Sequence, residues 1–164
     1  MIEIDKAKVE QKYEELSAAD FIVWITDEYL AAIGGSLNAD NMDMLSAAQH
    51  SHLCYRYILD EVMEGGFIQL IMNGFAPYVL EGPFPYVVKK EWEMKDFSKL
   101  LYSVKSEYHR HKEELEKDMS DEEFMALYEQ LEDLNEMGDD FLDDFQEEIS
   151  PKVAEIIMES YGKE

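Results

Sequence analysis

Asp20-Phe-Ile-Val-Trp-Ile-Thr-Asp-Glu-Tyr-Leu-Ala-Ala-Ile33, closed by Gly34-Gly35, is the stretch that decides the fold class. Phe21, Trp24, Ile25, Tyr29 and Ile33 recur at three- and four-residue intervals, which puts them on one stripe of an α-helix. A strand would show alternation every second residue instead. The paired glycines supply the stop that a helix C-terminus favours. Upstream, residues 5–17 repeat the pattern with Val9, Tyr13 and Leu16. Downstream, beyond a turn-rich loop at 36–41, the spacing predicts a helix over 42–64. Leu45, His52, Tyr55, Leu59, Val62 and Met63 lie near one face of it, and Gly65-Gly66 ends it. The short apolar run 67–72 fits strand or helix by period; helices around it and glycine at each end favour helix.

The rest of the chain follows the same rule. Pro77, Pro83 and Pro85 make 74–85 a bent connection with about one helical turn. A long helix is predicted over 95–117, with Phe97, Leu100, Leu101, Val104, Tyr108 and Leu115 pointing inward. Ser120 and Glu123 read as a capping box, ahead of a helix carrying Phe124, Leu127, Tyr128, Leu131 and Leu134. Gly138 predicts a break or kink, after which 139–148 continues with Phe141, Leu142, Phe145 and Ile149. Ser150-Pro151 reads as the start of a last helix holding Val153, Ile156, Ile157 and Tyr161. No repeat and no interdomain linker is visible. The expectation is an all-α, compact, single-domain helical bundle of about seven helices over 1–164.

Composition supports a folded core, with 46% hydrophobic and 12% aromatic residues. Cys54 is the single cysteine, so no internal disulfide forms and a reducing compartment is expected. The N-terminal residues lack the apolar core of a signal peptide, and the longest apolar runs, near 21–25 and 67–72, are far short of a membrane span. Cytoplasm is the expected location.

Charge sets the function class. Thirty-eight acidic against fourteen basic residues leave a net charge of −24. Direct binding to nucleic acid or an anionic membrane needs Lys and Arg to replace counterions, so both are disfavoured. A basic protein is the natural partner, most simply a DNA-binding one, and a homodimer is compatible with the same sequence. Residues 113–148 carry seventeen acids and one base, Lys117, which is two thirds of the net charge. Within them Glu132, Glu136, Asp140, Asp144 and Glu148 recur every four residues, with Asp139, Asp143 and Glu147 beside them. On a helix these form adjacent rows opposite Leu134, Phe141, Phe145 and Ile149. Like charges at i,i+4 cost roughly 0.2–0.5 kcal/mol per pair, which interspersed lysines would relieve. Solubility alone explains a charged face. Rows of this kind also suit a basic partner, because side chains one turn apart stand about 5–6 Å from each other, close to the phosphate spacing along a DNA strand. These eight carboxylates are the candidate partner-binding residues.

The most distinctive segment is Glu61-Val-Met-Glu-Gly65-Gly66-Phe67-Ile-Gln69-Leu-Ile-Met-Asn73-Gly74. Gly65 and Gly66 permit a left-handed turn after a long helix, Phe67 would plug the core, and Gln69 and Asn73 would reach loose carbonyls of the turn. Here the chain resembles the acidic bacterial DNA-mimic protein family, whose helical domain carries Glu-x-x-x-Gly-Gly-Phe-x-Gln followed by aromatics and Asn. Glu61, Gly65, Gly66, Phe67, Gln69 and Asn73 match that pattern. Met63-Glu64 stand where the family has Asn before the glycines, and Leu70-Ile71 where it has Phe-Phe. The resemblance implies a family-like core at about 43–161 and binding to a transcriptional regulator in place of DNA. It transfers no partner-binding residue, since mimicry of this kind rests on dispersed carboxylates.

Other chemistry finds little support. His50 and Cys54 share a helix face, but two ligands fall short of the four a structural zinc needs. No metal or cofactor is expected. The Asp-rich run lacks a calcium-hand loop, and no nucleophile-elbow, phosphate-loop or dinucleotide fingerprint is present. Carboxylates on an open face lack the cleft that catalysis requires, so an enzyme is not expected. Two other readings remain: an immunity protein neutralising a basic nuclease toxin, and a small-ligand binder or enzyme using the corner between Gly65 and Asn73.

Overall fold

The computed structural model describes residues 1–162, the side chains of 144–146 excepted. In chain order the elements are α1 (Lys6–Glu15), α2 (Ala18–Ala32), a 3₁₀ turn (Met42–Met44), α3 (Ala47–Met72), α4 (Ala76–Val79) and α5 (Phe84–Lys90). They continue with α6 (Lys95–Leu115), α7 (Asp121–Gln130), α8 (Glu132–Asp140), a π-helical turn (Phe141–Phe145) and α9 (Gln146–Gly162). Among the described residues there is no strand, so the fold is all-α as the periodicity predicts.

The helices gather into two compact units. One holds Met1–Arg56 together with the chain from Gln146 on; the other is Tyr57–Phe145. In the first, α2 packs on α9, and α1 packs on both. Its core holds the stripe read from sequence, with Phe21, Ile25 and Tyr29 fully buried beside Val9, Leu53, Tyr55, Val153 and Ile157. The hydroxyl of Ser17 caps α2 by accepting from the Asp20 N–H at 3.2 Å. α3 starts at Ala47 rather than near Met42. The reason is a capping box at Ser46: the Gln49 N–H donates to Ser46 Oγ at 3.1 Å, and the Ser46 N–H to Gln49 Oε1 at 3.0 Å.

In the second unit α5 packs along α6, and α6 against α8. A relay of rings forms its centre: Phe84–Phe97 at 6.3 Å, Phe97–Phe141 at 5.8 Å and Phe67–Phe141 at 6.2 Å between centroids. The proline-rich stretch gives more helix than its prolines suggest, because Pro77 and Pro85 sit in the first turns of α4 and α5, where a missing N–H costs nothing.

Three local expectations change. Gly138 does not break its helix; it lies inside α8, and the irregularity falls in the following π turn. Ser150-Pro151 does not start a helix either, since Pro151 lies within α9. Ser150 is buried and pairs with the Tyr55 hydroxyl at 2.7 Å instead of capping. The capping box at Ser120 is half formed. Its hydroxyl accepts from the Glu123 N–H, but the Glu123 carboxylate accepts a hydrogen bond from the Ser120 hydroxyl and not from the Ser120 backbone N–H.

Candidate functional site

The segment matched to the family motif builds one corner of the second unit. α3 is interrupted at Gly65 (φ −146°, ψ 17°) and Gly66 (φ 74°, ψ −174°), and the second of these conformations is one that residues with a Cβ rarely adopt. The turn delivers Phe67 into the core, where it is fully buried. Gln69 folds back over Gly65 so closely that a Cβ there would stand 2.8 Å from the Gln69 Cβ. One oxygen of Glu61, Oε2, accepts from Gln69 Nε2 at 2.7 Å and from Asn73 Nδ2 at 2.8 Å. The two amides therefore clamp a carboxylate from before the break to the helix after it. They do not reach for loose turn carbonyls, as the sequence alone suggests. On the other side Gly138 of α8 lies against the turn, where an added Cβ would sit 3.4 Å from Gly66 Cα. Glu61, Gly65, Gly66, Phe67, Gln69 and Asn73 thus form one folding unit, and Gln69 and Asn73 each commit an N–H to it.

The candidate carboxylates fall in two places. Glu132, Glu136, Asp139 and Asp140 are exposed on α8, opposite the buried Leu134 and Gly138, and Asp143 is exposed in the π turn. Glu147 and Glu148 are exposed in the first turn of α9, in the other unit. The Asp144 side chain lies outside the described residues. Within α8 the four-residue spacing holds, so Glu132, Glu136 and Asp140 stand one turn apart. A π turn has a different period, and the row predicted from α-helical spacing does not run through it unchanged. Among the described residues none of these seven exposed carboxylates forms an ion pair. Ion pairs to arginine and lysine fall elsewhere, at Asp27 with Arg56 (2.8 Å), Glu107 with Arg110 (3.1 Å) and Glu81 with Lys112 (3.9 Å). The described carboxylates of residues 113–148 are exposed, and among the described residues none of them pairs with a lysine or arginine.

Sequence reading missed a polar cluster inside the first unit. Gln49 Nε2 donates to the Ile2 carbonyl at 2.7 Å and to the Tyr161 hydroxyl at 3.2 Å. Tyr161 donates to the Tyr29 hydroxyl at 2.6 Å, and Tyr29 meets His52 Nδ1 at 2.9 Å. Tyr29 and His52 share one hydrogen bond, and the His52 tautomer sets which of the two donates. Burial lowers the His52 pKa to about 3 and raises that of Tyr29. His50 is held apart, with Nε2 on the Met42 carbonyl at 2.9 Å. The links among Tyr29, His52 and Tyr161 only emerge once α2, α3 and α9 pack, which no spacing along the chain reveals.

Two comparisons bear on this arrangement. The model of the DMP19-like protein family matches residues 43–160. The DNA mimic protein DMP19 of Neisseria meningitidis serogroup B (strain ATCC BAA-335 / MC58) is 30% identical over 77 residues, which cover 47% of this chain and 46% of that protein. The match spans about half the length of the curated relative.

Proposed function

The chain belongs to the DMP19-like protein family, and from that premise we propose that it is a non-catalytic interaction protein that occupies the DNA-binding surface of a basic protein. The observation that carries this reading is the set of exposed carboxylates in residues 113–148 that, among the described residues, no lysine or arginine pairs with. An uncompensated anionic surface raises the local concentration of cationic partners and speeds their encounter. The one-turn spacing of Glu132, Glu136 and Asp140 suits cationic side chains placed to grip phosphates. The DNA-mimic name of the matched relative supports the same reading. A basic transcription regulator or other DNA-binding protein is the partner class, met in the cytoplasm, whose reducing conditions suit a chain with a single cysteine, the buried Cys54.

The test is capture from a native lysate on the immobilised chain, elution by a salt gradient and identification of the eluted proteins by mass. The expected captives are basic DNA-binding proteins released as salt rises. Duplex DNA added to the lysate should prevent their capture. Retention of captives in the presence of saturating DNA would reduce the acidic stretch to a general docking face.

A further inference from the structure

Phe124 and Tyr128 of α7 are aromatic residues that lie outside the core. Phe124 is half-buried and Tyr128 is 37% exposed, with ring centroids 6.1 Å apart. Their position is explained by a groove beside the Gly65 corner. Two adjoining cavities, of about 300 and 430 Å³, share Glu64, Gly65 and Tyr128. The glycines bring no side chain to the floor, while the exposed Met63 borders one cavity and Phe124 the other. Glu64 and Asp139 stand exposed at the edge, and among the described residues neither forms an ion pair and no Lys, Arg or His lines either cavity. Glu61 also borders the groove but is engaged by its two amides.

We propose that this groove receives an arginine side chain of a protein partner, its guanidinium lying on the Tyr128 ring and facing the carboxylates of Glu64 and Asp139. The combination selects arginine over lysine. A guanidinium is planar and weakly hydrated, stacks on aromatic faces and donates in a fork to carboxylates, whereas an ammonium holds its water more tightly. Thioether and ring carbon at Met63 and Phe124 suit the aliphatic stem of the side chain. The inference rests on the acidic-partner reading above and adds to it an anchoring point that is not purely electrostatic.

The experiment is a ¹⁵N-correlation NMR titration of the whole chain with acetyl-tetra-arginine amide, and in parallel with the tetra-lysine peptide, at physiological salt. The arginine peptide should move the amide signals of Gly65, Gly66 and Tyr128 saturably and more strongly than the lysine peptide does. Tyr128→Ala, at an exposed position, should keep the remaining spectrum and weaken the arginine peptide by roughly two- to fivefold, with a smaller effect on lysine. Shifts confined to the rest of the acidic stretch, or an unchanged arginine affinity in Tyr128→Ala, would overturn the groove and leave the acidic-surface reading standing. Shifts at the corner in a protein whose natural captives ignore DNA would uphold the groove and overturn DNA mimicry.

Discussion

Gly66 and Gly138 touch the same corner and should respond oppositely to a methyl group. Gly66 has φ +74° and ψ −174°, a backbone region essentially reserved to glycine, so Gly66→Ala should cost about 1–3 kcal/mol. Gly138 sits in helical backbone, where an added Cβ meets Gly66 Cα at 3.4 Å and Phe67 N at 3.6 Å, contacts at the edge of the ordinary range. Gly138→Ala should therefore be neutral or stabilising by up to about 1 kcal/mol, through the helix preference of alanine. Urea unfolding followed by circular dichroism checks both; a Gly138→Ala variant as damaged as Gly66→Ala would mean the corner has no room for a methyl. His52 offers a second test. Burial depresses its folded pKa to about 3, below the ordinary value near 6.5, so the unfolded chain binds the proton first as pH falls. Its contribution to stability is complete above about pH 6.5 and is lost progressively toward pH 3, at up to about 1.4 kcal/mol per pH unit. Replacing it by His52→Gln should flatten that part of the stability profile measured by urea midpoints at successive pH. A profile identical to the parent chain would show that His52 is not held neutral.

Helices are legible where a regular stripe of apolar residues is buried against its neighbours. α2 and α6 bury the residues their spacing selects, Phe21, Ile25 and Tyr29 in one and Phe97, Leu101, Val104 and Tyr108 in the other. Local signals misled where tertiary contact overrides them. Ser150-Pro151 has the form of a helix start, but the serine hydroxyl is drawn to Tyr55, ninety-five residues away, and the helix runs through the proline. Gly138 has the form of a break, but its lack of a side chain serves the packing of α8 on the Gly66 turn. Phe124 and Tyr128 have the period of core residues, yet periodicity cannot show that the surface opposite is a groove. The described candidate acids are exposed, as charge alone predicts; the π turn that interrupts their spacing leaves no mark in the sequence. α8 itself carries a testable strain. Glu136 lies one turn from both Glu132 and Asp140, so Glu136→Gln removes two like-charge pairs. Stability should rise by about 0.4–1 kcal/mol at low ionic strength, and the gain should fade at high salt as screening shortens. A loss of stability at low salt would mean that Glu136 makes a favourable contact in the fold.

At the scale of the whole molecule, net charge of −24 destabilises the compact state through self-repulsion and must be tolerated for a reason or relieved by a partner. If the carboxylates are the binding surface, neutralising Asp139, Asp140, Asp143, Asp144, Glu147 and Glu148 to Asn or Gln should weaken capture of the partner and flatten its dependence on salt, while leaving the fold intact. Asp144 joins that set on its place in the sequence alone. Neutralising the exposed Glu3, Glu10 and Glu14 removes bulk charge elsewhere and should change both far less. Dispersed carboxylates specify a charge pattern and no single ligand. The central claim is that these carboxylates stand in for DNA phosphates, and competition tests it most directly. The labelled chain, bound to a salt-eluted partner, is titrated with duplex DNA and its release followed by fluorescence anisotropy. Full displacement is predicted, with a midpoint set by the partner's own affinity for that DNA; a ternary complex that persists at saturating DNA would contradict the account.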